Sequence, residues 1–317
     1  MKYRNKILSI GILFFIAILF CIKGIGQSFG IRKTSTGIEL LDSSKKVLFY
    51  QIKPVSLNGK YQKCGYIHPL YGLNGEILTE DFPEDHPYHH GIFWAWHQII
   101  LRNKNIADAW VDENIFWQPV QLKIKKKKEC IILQSELLWK SVLNNADTTP
   151  IIKENTSITV HQATPLFRAI DFDIQLFALV DSLKIGGSDD VKGYGGFCLR
   201  LKLPHDISFV SNGTVVTPME TAVTAGSWMD FVGSFGGDSL QKSGVAVFNN
   251  PANPGFQHQW ILRREKSMQN IPFPGRTPVF LSKRGLRLKY RILIHNAAIN
   301  NDEIEKLYQD YLSNRKS

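Results

Sequence analysis

Cysteine is scarce. The chain has four in 317 residues, none in a Cys-x-x-Cys pair. That argues against a disulfide framework, a zinc ribbon or a thioredoxin-like dithiol. A Walker loop, a Gly-x-Gly-x-x-Gly fingerprint and a Gly-x-Ser-x-Gly elbow are also missing, so nucleotide binding and serine hydrolysis lack sequence support. Glycine (24) and proline (14) are ordinary, which excludes collagen-like and low-complexity classes. There is no acidic excess: 38 Lys+Arg stand against 28 Asp+Glu. With 44% hydrophobic and 21% charged residues, the chain can bury a full core and is not disordered.

One long apolar run is present, Ile7 to Ile22, preceded by Lys2, Arg4 and Lys6 and followed by Gly24 and Gly26. A basic start, an apolar centre and small residues behind it describe a secretory signal over 1–26, cleaved before Gln27. The run is shorter than the roughly 20 residues of a spanning helix. Phe20 is too bulky before Cys21 for lipoprotein processing. The expectation is a periplasmic or secreted protein with no membrane insertion of the mature chain. Removing 1–26 takes the formal charge from +10 to +6. Much of the remainder is Lys123 and Lys125 to Lys128. Without interleaved aromatics this run reads as a lysine-protected edge strand, not as a nucleic-acid surface.

The body alternates with period two. Ile170-Asp171-Phe172-Asp173-Ile174-Gln175-Leu176 is the clearest case, followed by Arg287 to Ile292 and Ile158 to His161. Further strands are expected at 47–53, 92–101, 116–124, 130–140, 196–203, 244–250 and 259–264. Asn-Gly and Gly-Gly pairs supply the turns between them. One segment has a helical period: Ile304, Leu307, Tyr308, Tyr311 and Leu312, with Asn300 as cap and Glu303 completing a capping box. These features predict an all-β fold. It is a large antiparallel β-sandwich with a short C-terminal helix, one domain over 27–317.

Chemistry concentrates between residues 68 and 97, which hold five of the nine histidines: His68, His86, His89, His90 and His97. The centre is Asp81-Phe82-Pro83-Glu84-Asp85-His86-Pro87-Tyr88-His89-His90-Gly91. Imidazole titrates near neutrality, and a neighbouring carboxylate sets its tautomer. Three readings stand side by side. His86 and His89 can hold a divalent metal with His90 or a distant acid. The same groups can form a metal-free acid/base site, Asp85 orienting an imidazole. Or the loop is simply hydrogen-bonded structure. Trp94 and Trp96 share one strand face and suit a sugar ring, or else an aromatic core. Glu154 is a candidate second catalytic carboxylate. Lys192, Arg200, Asn253 and His258, together with His90, are candidates to bind substrate.

The stretches HPLYG at 68–72 and DFPEDHPYHHGIFWAW at 81–96 resemble a family of exported bacterial proteins labelled "methane oxygenase PmoA". So do KGYGGFCLRL at 192–201, NGTVV at 212–216, SGVAVFNNPANPG at 243–255, QWILR at 259–263 and RLKYRILIH at 287–295. The resemblance places Glu154, Lys192, Arg200 and Asn253 on motif positions. Family members read Asp-His-Pro-His-His-Arg-Gly, where this chain has Tyr88 and His90 in place of a His and the Arg. No role for that Arg carries over. The resemblance implies an exported β-sandwich (supersandwich) similar to galactose-mutarotase-like folds, which handle carbohydrates. The expected activity is on a sugar or glycoside, as a lyase, epimerase or hydrolase. The alternatives are a non-catalytic carbohydrate-binding protein and the metal-dependent oxygenase that the label names.

Overall fold

Alternating strands with one apolar face must pair those faces, and here they do so as two broad sheets. The computed structural model describes residues 29–142, 149–265 and 268–313. The expected signal at 1–26 lies outside the described residues. One sheet has seven strands, in the order Phe29–Lys33, Gly37–Asp42, Lys45–Gln51, Tyr66–Leu70, Ile92–Trp96, Gly195–Leu199 and Gln269–Pro272. The other has nine. Ile115–Lys126 lies at its edge, followed by Cys130–Ser141, Pro150–His161, Phe167–Ala178, Leu286–Asn296, Ser243–Asn249, Trp228–Gly233, Ser208–Ser211 and Thr214–Val215. The pairings within both sheets are antiparallel.

The two sheets meet through aromatic contacts. Phe197 of the seven-stranded sheet stacks on Tyr290 at 4.3 Å and meets Phe172 edge-on at 5.2 Å. Trp96 lies 6.0 Å from Trp139. Asp171, Asp173 and Gln175 point away from this core, as the alternation requires. The lysine-rich stretch lies on and just beyond the edge strand Ile115–Lys126, where charge discourages pairing with another chain.

The helix forms at Asn301–Ser313 and is capped as its sequence predicts. Asn300 Oδ1 accepts the Glu303 N–H at 2.9 Å, and Glu303 Oε2 accepts the Asn300 N–H at 2.9 Å. Ile304 and Tyr308 are buried in a cluster with Trp228, Ala246, Phe248 and Leu293.

Three expected strands differ, and the one at 196–203 already ends at Leu199. The stretch 92–101 divides at His97: Ile92–Trp96 joins the seven-stranded sheet, and Gln98–Leu101 joins a four-stranded one. At 259–264 only Gln259–Trp260 is strand. Arg263 instead donates to the carbonyls of Met219 and Glu220, each at 2.7 Å, so side-chain bonds replace a ladder there. Cys64, Cys130 and Cys198 are free thiols, the first and last buried.

Candidate functional site

The histidine loop leaves the seven-stranded sheet and returns to it. Two tight turns shape it: His86 N–H donates to Pro83 O (3.2 Å) and His89 N–H to His86 O (2.9 Å). Phe82 N–H donates to His89 O and closes the loop, with Phe82 at φ +47°. A bulky residue in the left-handed region is strained, and such strain gathers at functional segments. Gly91 is required where the loop re-enters the sheet. A β-carbon there would lie 2.1 Å from the Ile67 carbonyl.

Arg200, just past Gly195–Leu199, organises the outer part of the loop. Its side chain is 3% exposed. Nη2 donates to Asp85 Oδ1 at 2.7 Å, Nη1 to Asp85 Oδ2 at 3.0 Å, and Nε to Glu80 Oε2 at 2.9 Å. Asp85 Oδ2 lies 2.6 Å from His86 Nδ1. Burial works against ionisation of Asp85, but Arg200 and His86 outweigh it and hold the carboxyl down at about 2. His86 and His89 stack, with ring centroids 4.7 Å apart and planes within 4°. Arg200 Nη1 also lies 3.3 Å from His89 Nδ1. Guanidinium only donates, so that nitrogen accepts and Nε2 carries the proton. Burial, with His86 and Arg200 close by, pushes the His89 imidazole down to about 2 and keeps it neutral.

Beneath the loop runs a second network. Lys63 Nζ donates to Asp112 Oδ1 at 2.8 Å and lies 3.8 Å from the centre of the Trp117 ring. Asp112 Oδ2 is 3.4 Å from His90 Nε2, and His90 Nδ1 is 2.7 Å from Asp81 Oδ1. Tyr66 donates to Asp81 Oδ2 at 2.8 Å. Burial disfavours the charged form of His90, but Asp112 and Asp81 overcome it and raise its pKa. An aromatic rim completes the region. Tyr88 lies edge-on to His86 and His89, Trp110 stacks on His97 at 5.1 Å, and Tyr194 lies 5.2 Å from Trp110. On the other side of Asp85 is an open groove of about 710 Å³, lined in part by Glu80, Glu84, Arg200, Lys202 and His205.

The structure therefore brings together Asp85, His86, His89 and Arg200. It places other candidates elsewhere. His90 is completely buried with both ring nitrogens engaged, so it braces the loop and does not meet a substrate. Trp94 and Trp96 are interior, because Ile92–Trp96 is covered on both faces and offers no ring to solvent. Trp96 Nε1 donates to Phe273 O at 2.7 Å. Glu154 lies in the sandwich core and accepts from Trp139 (2.9 Å), Thr156 (2.8 Å) and Trp94. Burial raises its pKa. Asn253 ties its loop to the strand Leu286–Asn296 through both the N–H and the C=O of Lys289. His258 is exposed, 3.3 Å from Ser227 Oγ, and Lys192 sits on a turn held by Asp190.

Among the described residues, no three His, Cys, Asp or Glu side chains gather to hold a metal ion. His86 and His89 lie parallel, so their in-plane lone pairs run side by side and do not converge on one point. Sequence reasoning missed Lys63, Tyr66, Asp112, Tyr194 and Asp108, whose Oδ2 lies 2.7 Å from His97 Nδ1. The one available signal was Asp108 and Asp112 flanking Trp110.

The chain belongs to a family of unknown function, DUF6807, which matches residues 37–309. No curated protein matches it. Among the described residues, no helix is long and apolar enough to cross a membrane.

Proposed function

We propose that this member of the family is an exported enzyme acting on a carbohydrate by acid–base chemistry at the His86–His89 pair. The observation that carries the reading is Asp85, gripped by both Nη atoms of Arg200 and set 2.6 Å from His86 Nδ1. An ionised Asp85 takes the Nδ1 proton of His86 as its hydrogen-bond partner. The Nε2 lone pair is then left to accept a proton from a sugar hydroxyl or an activated C–H. Beside it, neutral His89 is 2% exposed and stacks on His86, so it supports that imidazole from the protein side.

The test is turnover of a saccharide panel by the mature protein beside His86→Gln and His89→Gln. Loss of about 10²-fold or more in kcat for His86→Gln, with binding partly retained, supports the reading. The second reading, a non-catalytic carbohydrate-binding protein, is favoured by the half-buried rings of Tyr88 and Tyr194. It predicts saccharide affinity that His86→Gln leaves unchanged, and no turnover. Kinship with the proteins labelled "methane oxygenase PmoA" is part of the proposal, but the oxygenase activity in that label is not. Both Nδ1 atoms are already engaged, and the parallel rings do not converge as copper ligands. Export rests on the signal-like segment 1–26.

A further inference from the structure

We infer that the hollow beside the contacting rings of Tyr61 and Tyr88 is a saccharide subsite adjoining the His86–His89 pair, so that the substrate is a chain of at least two sugar units. The inference rests on the carbohydrate reading above and adds the chain-length requirement. Tyr88 touches both sides of the arrangement. Its ring lies edge-on to His86 at 5.7 Å and to His89 at 4.9 Å, and it packs against Tyr61 with centroids 6.1 Å apart and planes tilted by 53°. The hollow is about 500 Å³. Half-buried Val111 lines it, with exposed Lys60, Gln62 and Glu113. Among the described residues Lys60 and Gln62 have no side-chain hydrogen-bond partner, and both are exposed toward the hollow. Two ring faces with polar groups at the margin match a sugar ring, which has apolar C–H faces and a polar periphery.

The backbone around Tyr61 points the same way. The hairpin Val55–Leu57 to Lys60–Lys63 turns through Asn58 and Gly59, whose positive φ a two-residue turn requires. Tyr61 is at φ +54° as well, and the turn does not require it. It lies where the hairpin register shifts between Val55 and Leu57, a bulge of the kind that re-aims a side chain. Strain at a bulky residue persists only where surrounding contacts impose it. Here they do, because Lys63, two residues on, is fixed to Asp112 next to Val111. The Tyr61 hairpin is thereby tied to the segment that carries Val111 on the floor of the hollow.

The experiment is calorimetric titration with gluco-, xylo-, galacto- and manno-oligosaccharides of one to six units, using wild type, Tyr61→Ala, Tyr61→Gly and Tyr61→Phe. Wild-type affinity should rise about tenfold between one unit and two in the series that binds. Tyr61→Ala and Tyr61→Gly should abolish that rise, and Tyr61→Phe should keep it. Tyr61→Gly relieves the positive φ, so its thermal unfolding separates loss of the ring from loss of the fold. If the rise persists in Tyr61→Gly, the subsite is wrong while the carbohydrate reading stands. If wild type binds no saccharide of any length, the carbohydrate reading fails and the subsite fails with it.

Discussion

His89 and His90 are adjacent in the chain and opposite in charge preference. His89 stacks on His86 beside the Arg200 guanidinium and is kept neutral. His90 is held between Asp81 and Asp112, and those carboxylates favour its cation. A single residue step thus separates a neutral imidazole stacked on His86 from an imidazolium that anchors the loop.

The two should impose opposite slopes on stability. Unfolded, each titrates near 6.5. His89 drops to about 2 on folding, so its contribution is full above roughly pH 6.5 and is lost progressively as pH falls toward 2. His90 is raised on folding. Its contribution is full below roughly pH 6.5 and is lost as pH rises through the folded value. Urea unfolding across pH 4 to 9 should flatten on the acid side in His89→Gln and on the basic side in His90→Gln. Unchanged slopes in both variants would refute these charge states.

Lys63 and Asp112 form an ion pair with side chains 3% and 0% exposed. Lys63→Met strands a buried carboxylate and should destabilise by about 3–5 kcal/mol in urea unfolding. Adding Asp112→Asn should recover part of that loss. A double variant as unstable as the sum of the singles would show that the two do not act as a pair.

Arg200→Lys keeps the charge but cannot reach Asp85 with two nitrogens while also meeting Glu80 and His89. Displacing Asp85 displaces His86. In the enzyme proposed above, kcat should fall about 10²-fold with a smaller change in KM. An unaltered kcat would remove Arg200 from any positioning role.

Trp96→Ala should cost about 3–5 kcal/mol, because it empties the sandwich interior and frees the Phe273 carbonyl. Saccharide affinity, measured well below the lowered Tm, should match wild type. A selective loss of affinity would return Trp96 to a binding role.

Much of this molecule is written in local pattern. Period-two stretches such as Ile170 to Leu176 specify which face is buried, and Asn300 with Glu303 specifies where the helix begins. Both are interactions between near neighbours, so they survive as sequence rules. The loop Asp81 to Gly91 is legible for the same reason: its chemistry is contiguous. What local pattern does not encode is what covers the second face of a strand, or which distant groups meet. Ile92–Trp96 is sealed on both sides, so Trp94 and Trp96 became core instead of platform. Glu154, an acid on a core-facing position, is held there by indole donors from other strands and by the hydroxyl of Thr156 on its own strand. Arg200 meets Asp85 across 115 positions, and Lys63 meets Asp112 across 49. The sequence by itself determined the β architecture, the capped helix and the reactive loop. Only the tertiary structure decided which imidazole is neutral, which is charged and which aromatics face solvent, because desolvation and long-range charge pairing exist only once the sheets have closed.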